Sequence, residues 1–236
     1  MSAERIAALL LEARGGASLV DATAEAPADL AQVYRIQGLV LEALSGSARC
    51  SAWKAIPPRP GAEPTASPVP PACVLASPAS LAAGRGLLGV EAEIAFRLGA
   101  DLSADEAMVL IELAETRLAS WEQAPALWKL ADFQSNGALI VGSGTRAWRE
   151  IDFAAQAVEL WINGKLERRA TGAHPSGDPS RLLPWLARHA AGRGGLQPGD
   201  VITTGSWVGI VKVHPGDDVV AGFPGIGEAR LRLGRR

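Results

Sequence analysis

Apolar residues return at helical spacing near the start of the chain and at every second position further on, which predicts helices first and strands later. Between Ser2 and Arg14, Ile6, Leu9 and Leu10 share one side of a helix, and Val33, Ile36, Leu39 and Val40 do the same from about Asp29 to Leu44. Prolines then crowd between Pro57 and Pro78, with Gly61, Ser67 and Ser77 among them. Fixed φ angles and missing donors predict a long irregular loop there, either bordering a site or merely connecting elements. After Leu88 short apolar runs of period two alternate with the turn signals Asn163-Gly164, Pro198-Gly199-Asp200 and Pro215-Gly216-Asp217, so the remainder is expected to be largely β. One helix interrupts it from Ser180 to Ala191, opened by Asp178-Pro179 and carrying Leu182, Leu183, Trp185, Leu186 and His189 at helical spacing.

The chain has 236 residues, 48% of them hydrophobic, enough to bury a substantial core in one large unit. Its net charge of −2 and scattered basic residues, apart from the Arg235-Arg236 tail, form no phosphate-binding stripe and argue against nucleic acid as a partner. The first residues, Met-Ser-Ala-Glu-Arg, meet charge at once, and no run of about 18 apolar residues follows, so no membrane segment is expected and the cytoplasm is the default location. Cys50 and Cys73 lack the close spacing of redox or zinc motifs and suit reduced thiols without an assigned role.

Candidate chemistry first emerges in Gly-Val-Glu-Ala-Glu-Ile-Ala-Phe, residues 89 to 96. On a strand, Val90, Ala92, Ile94 and Phe96 make one apolar face, and Glu91 and Glu93 fall side by side on the other. Two like charges on one face are either screened by water, the ordinary case for a half-exposed strand, or neutralised by a hard cation such as Mg²⁺ or Mn²⁺. A third carboxylate, Glu112, follows in Leu-Ile-Glu-Leu-Ala-Glu. The segment before it reads two ways: Ser103-Ala104-Asp105-Glu106 resembles a capping box opening a helix, and Met108 to Leu113 equally suits a strand.

Four segments, VEAEIAFRLGADL, IELAETRLASW, LADFQSNGALIVG and GDVITTGSWVGIVKVHPGDDVVAGFPGIGEARLRL, occur in an order and spacing that resembles the 2-keto-4-pentenoate hydratase branch of the fumarylacetoacetate hydrolase superfamily. The resemblance covers most of the chain from about Ile36 onward, and its final TTGSW…PGD…GIG part is the most specific. It implies an α+β fold, a mixed β-roll with flanking helices, with residues 1–50 as an N-terminal helical segment and residues 51–236 as the catalytic domain. It also implies a homo-oligomer.

By the same resemblance, Glu91, Glu93 and Glu112 hold Mg²⁺ or Mn²⁺, and Lys54 in Ser-Ala-Trp-Lys-Ala-Ile handles a proton or supplies charge. Read alone, Lys54 is a surface lysine beside Trp53. Thr204, Gly205 and Ser206 match a turn whose hydroxyl and backbone donors bind a substrate carboxylate, or they form an ordinary strand-end turn. Asp132 matches the family's Ala-Asp pair and is expected to satisfy nearby backbone donors. The chain departs from the family where glycines around the lysine become Ala52 or Trp53 and Ala55. A polar D-x-G-x-L loop becomes Pro70-Pro71-Ala72-Cys73-Val74, and Gly-His-Pro-Leu-Asn becomes Gly177-Asp178-Pro179-Ser180-Arg181. These changes bear on substrate contacts more than on the metal site.

The implied reaction begins with metal chelation of the 1-carboxylate and 2-oxygen of a small 2-hydroxydienoate, which eases its conversion to a conjugated ketone. Water then adds to the alkene and gives a 4-hydroxy-2-oxo acid. The same chelate serves decarboxylation of a 2-oxo-3-enedioate or hydrolysis of an acylpyruvate. Hydrolysis calls for a base such as histidine, and none of His174, His189 and His214 matches a family catalytic position; His189 reads as a packed residue and His214 as a turn residue. A non-catalytic descendant is the remaining alternative, against which the retained glutamates argue.

Overall fold

Ser2 and Asp29 fix where the first two helices begin. In the computed structural model, which describes residues 1–23, 25–58 and 62–234, the Ser2 hydroxyl accepts from the Arg5 N–H at 3.2 Å and opens α1, Ala3–Arg14. Asp29 accepts from the Gln32 N–H at 2.8 Å and opens α2, Leu30–Ser45, which stops at Gly46 in the left-handed conformation. The apolar stripes of both helices, including Ile6, Leu10, Ile36 and Val40, close on a third helix, α3 (Ala126–Ala131), through Trp128 and Phe133. Gly61 of the proline-rich stretch and the Arg235-Arg236 tail lie outside the described residues.

The strands in chain order are β1 (Ala52–Ile56), β2 (Thr65–Val69), β3 (Val74–Ala76), β4 (Ala79–Ala82), β5 (Leu87–Leu98), β6 (Ala104–Glu115), β7 (Asn136–Thr145), β8 (Ala157–Ile162), β9 (Lys165–Thr171), β10 (Val201–Thr203), β11 (Asp218–Phe223) and β12 (Gly227–Gly234), with α4 (Leu183–Ala191) between β9 and β10. They form a seven-stranded sheet in the order β2-β1-β10-β5-β6-β7-β3 and a five-stranded sheet in the order β4-β12-β11-β8-β9. Both contain parallel and antiparallel pairs, so the fold is α+β with mixed sheets and flanking helices. Val90, Ala92, Ile94 and Phe96 do form one apolar face of β5, and they pack with Ile111 against Leu160, Ala221 and Phe223 of the second sheet.

The structure corrects the proline-rich loop. β2 runs antiparallel to β1 with Pro68 opposite Trp53, and β3 begins at Val74 after a short 3₁₀ turn at Pro71–Cys73. β2 is a sheet edge, where one row of backbone groups goes unpaired and a residue without a donor is tolerated. The ambiguous segment before Glu112 is a strand from Ala104 onward. Ser103 does not cap a helix; its N–H and hydroxyl both donate to Asp101, at 3.0 and 2.7 Å, and close a turn. The helix expected from Ser180 begins as a 3₁₀ turn at Pro179–Leu182 and becomes α-helical at Leu183. Asn163 and Gly164, with φ of 52° and 78°, make the β8–β9 turn as the sequence suggests. Among the described residues no helix is long and apolar enough to cross a membrane.

Candidate metal centre

The second face of β5 does not meet solvent. Glu93 is fully buried and the Glu91 side chain is 12% exposed. The screened-by-water reading of the two glutamates therefore fails. Antiparallel register sets Glu91 directly opposite Glu112 on β6, and the two-residue period adds Glu93 on the same face. A carboxylate oxygen from each of the three lies within 4.8 Å of the others.

Lys54 enters from β1 and is buried, not a surface residue. Its Nζ lies 2.7 Å from Glu112 Oε1, 3.6 Å from Glu91 Oε2 and 3.2 Å from the Gln134 carbonyl oxygen. Burial disfavours its ammonium form, but the attraction of Glu112, Glu91 and Glu93 outweighs that and raises its pKa above the ordinary lysine range. The carboxyl groups of Glu91 and Glu93 are pushed up, first by burial and further by the charge of Glu112, with Lys54 opposing; Glu93 rises well above the usual range.

Each carboxylate is aimed by a neighbour. Asn136, at the start of β7, donates from Nδ2 to Glu112 Oε1 at 3.0 Å. Thr203 at the end of β10 donates its hydroxyl to Glu93 Oε2, and the Gly205 N–H donates to the same oxygen at 3.0 Å. The Ser206 side chain lies near Glu91 and favours its charged form. Glu93 Oε1 and Glu112 Oε2 are left buried without any donor. Two orphaned oxygens among three carboxylates, with one lysine as the nearby cation, suit a hard divalent ion. Glu91, Glu93 and Glu112 are the residues able to hold it.

Of the expected turn, Gly205 adopts φ of 101°, which glycine alone takes without strain, and its N–H serves Glu93. Thr204 is buried with its hydroxyl committed to the Ile94 carbonyl at 2.8 Å, so only Ser206 faces the carboxylates with a hydroxyl. His174 lies behind this turn, with Nε2 2.9 Å from the Thr204 carbonyl and Nδ1 accepting from the Ser176 N–H at 3.2 Å. Both ring nitrogens are used, and burial lowers its pKa.

Three contributors escaped the sequence reading: Thr203, Asn136 and the Gln134 carbonyl. Thr203 and Asn136 are polar residues at strand ends inside apolar segments, which is a faint signal. The Gln134 contribution leaves no signal, because it depends on backbone shape. Phe133, Gln134 and Ser135 all have positive φ, 56°, 54° and 59°, and such a run in non-glycine residues persists only when the surroundings fix it. Trp121 Nε1 donates to Ser135 Oγ at 2.7 Å, Gln134 Nε2 donates to Thr65 Oγ1 at 2.9 Å, and Asp132 anchors the start of the turn through Thr116 and Arg117.

The model of the fumarylacetoacetate (FAA) hydrolase C-terminal family matches residues 55–233. A 2-keto-4-pentenoate hydratase of Burkholderia vietnamiensis (strain G4 / LMG 22486) is 31% identical over 154 residues, which cover 60% of this chain and 58% of the relative. The match thus spans under two thirds of that relative's length. Among solved structures, the 4-oxalocrotonate decarboxylase of Pseudomonas putida G7 superposes with a TM-score of 0.80 at 19% identity in its complex with calcium and acetate, covering 99% of this chain and 98% of that one. Its complex with magnesium and adipate gives a TM-score of 0.81 at 18% identity with the same coverage. At these identities the likeness is one of fold.

Proposed function

The chain belongs to the fumarylacetoacetate hydrolase C-terminal family, and from that premise we propose that it is a divalent-metal-dependent hydratase, adding water to a 2-hydroxy-2,4-dienoate to give a 4-hydroxy-2-oxo acid. The observation that carries this reading is the buried Glu91, Glu93 and Glu112 set with two oxygens free of donors and Lys54 beside them. The matched hydratase relatives support the reaction type.

Glu91, Glu93 and Glu112 would hold Mg²⁺ or Mn²⁺, which would supply Lewis acidity toward the oxygens of the substrate. Lys54, kept as an ammonium by its carboxylate neighbours, offers positive charge toward the 2-oxygen as the dienol becomes a ketone. The 2-hydroxyl loses its proton as C5 gains one, which gives the conjugated ketone, and water then adds across C3 and C4, its hydroxyl to C4 and its proton to C3, so one water is added overall. Ser206 lies beside Glu91, the least buried of the three glutamates, and favours its charged form. Thr203, Gly205 and Asn136 keep Glu93 and Glu112 aimed so that little reorganisation accompanies the charge shift. His174, with both ring nitrogens engaged at the Thr204 turn, is not free to serve as a hydrolytic base.

The test uses metal-stripped protein and 2-hydroxypenta-2,4-dienoate. Restoring Mg²⁺ or Mn²⁺ should produce 4-hydroxy-2-oxopentanoate as the dienol absorbance falls, and Glu91→Ala should lose at least a hundredfold in kcat/KM, about 2.7 kcal/mol of transition-state stabilisation. Absorbance loss without the hydrated product, or product formed equally by Glu91→Ala, would refute the hydratase reading.

A further inference from the structure

Glu115, three residues and roughly 10 Å along β6 from Glu112, lines a second cavity, of about 290 Å³. Neither Lys54 nor any of the three metal-centre glutamates lines it. The other charged residues of its wall are Arg14, Arg85 and Arg117, and Gly86 and Gly137 stand among them. A Cβ on Gly86 would run into the Thr116 carbonyl, and one on Gly137 would stand 2.9 Å from the Leu113 carbonyl oxygen, so bare backbone forms this part of the wall. Arg85 is exposed, and the cavity opens to solvent beside it.

The arginines differ in what they hold. Arg117 is satisfied by the Asp132 carboxylate and by the carbonyls of Glu115, Asp132 and Asn136. Arg14 is the last residue of α1, where an arginine ordinarily donates to the final carbonyls of its helix. Instead its Nε and Nη2 are buried and meet no acceptor, and its guanidinium carbon lies 5.1 Å from the centre of the Phe133 ring. Burial, and after it the charge of Arg117, lowers the Arg14 pKa to about 10, which still leaves a cation at neutral pH. Buried cationic donors without acceptors destabilise the fold, and contact with an aromatic ring offsets only part of that.

We propose that this cavity is a binding site for a small carboxylate, whose two oxygens are taken by the Nε and Nη2 edge of Arg14. Those two nitrogens form one side of the planar guanidinium, the side that matches a carboxylate in a paired contact. Free of partners, the guanidinium can turn that edge into the cavity it lines. Glu115 restricts the charge of the ligand, because a dianion such as phosphate meets more repulsion from its carboxylate than a monoanion does. The volume lies at the small end of the range for small-molecule pockets and admits an acid of a few carbons. The site stands apart from the metal-chelation reading and does not depend on it.

Titration of the full chain with carbon-13-labelled propanoate, followed by nuclear magnetic resonance, tests the proposal. Metal-stripped protein is used, so that Glu91, Glu93 and Glu112 do not recruit the anion through a bound ion. One propanoate should bind per chain, and phosphate at pH 7.5 should bind more weakly. Arg14→Gln should weaken propanoate roughly tenfold or more, and Arg14→Lys, which keeps the charge and loses the paired edge, should weaken it by a smaller factor. A purely structural arginine predicts that Arg14→Gln unfolds at lower urea concentration than the parent. The proposal predicts a midpoint at least as high in the absence of propanoate, and loss of the rise that propanoate gives the parent. No saturable binding, equal binding by Arg14→Gln, phosphate bound more tightly than propanoate, or a lowered Arg14→Gln midpoint would each overturn it.

Discussion

Two buried polar clusters lie close together along β6 and just beyond it, and they are built on opposite principles. In the Asp132–Arg117 pair both charged groups are fully partnered. Asp132 Oδ1 accepts from Arg117 Nε, and its Oδ2 from the Thr116 hydroxyl at 2.8 Å and the Arg117 N–H at 2.9 Å. Arg117 spends its other donors on the carbonyls of Glu115, Asp132 and Asn136 at 2.6, 2.6 and 2.9 Å. Around Glu112, three carboxylates converge on one lysine, and two of their buried oxygens meet no donor. Completed charges of the first kind hold backbone in place, and incomplete ones of the second kind are poised to take a ligand. The two are linked through Asn136, whose carbonyl accepts from Arg117 and whose side chain steadies Glu112.

The contrast breaks most visibly at the scaffold. Asp132→Ala leaves the Arg117 guanidinium buried without its carboxylate, and loss of one partner from such a pair costs about 3–5 kcal/mol. Urea unfolding of the purified variant should show a large drop in midpoint. A loss below about 1 kcal/mol would mean that Asp132 does not hold the turn.

A smaller effect sharpens the comparison at a third polar cluster, where a half-buried histidine is held neutral beside an arginine. His189 stacks on Trp185 with ring centroids 4.7 Å apart, meets Tyr34 edge-on, and lies against Arg193, whose guanidinium also stands 4.4 Å from the Tyr34 ring centre and 5.1 Å from that of Trp53. Burial, and after it the charge of Arg193, lowers the His189 pKa to about 4. Its unfolded counterpart takes up a proton near pH 6.5, so this contribution to stability is complete above pH 6.5 and is lost as the pH falls toward 4. His189→Gln should accordingly show a shallower decline in unfolding free energy between pH 7 and pH 4.5 than the parent, and an unchanged slope would remove His189 from the account.

Much of the site was legible because it repeats along single elements. The alternation in residues 89–96 put Glu91 and Glu93 on one face, and that face is where the structure has them. The convergence of Glu112 was not legible from pattern alone, since it depends on the β5–β6 register and the segment before it suited either a helix or a strand. β2 stayed hidden because prolines suppress the usual strand signal, and only its place at a sheet edge accommodates them. The left-handed run at Phe133, Gln134 and Ser135 has no glycine to announce it; its conformation comes from tertiary bonds to Thr65, Trp121 and Arg117. The two N-terminal helices were the easiest to read, since local capping and a clear apolar stripe agree there.

The central claim is that Glu91, Glu93 and Glu112 form a divalent-cation site, and titration of Mn²⁺ into metal-stripped protein, with free ion followed by electron paramagnetic resonance, tests it most directly. One Mn²⁺ should bind per chain and raise the unfolding free energy by about 2.7 kcal/mol when free ion reaches a hundred times Kd. Glu93→Gln, which keeps the side chain's size, should remain folded and lose that binding. A parent protein that takes up no Mn²⁺, or a Glu93→Gln protein that binds it as tightly as the parent, would contradict the account.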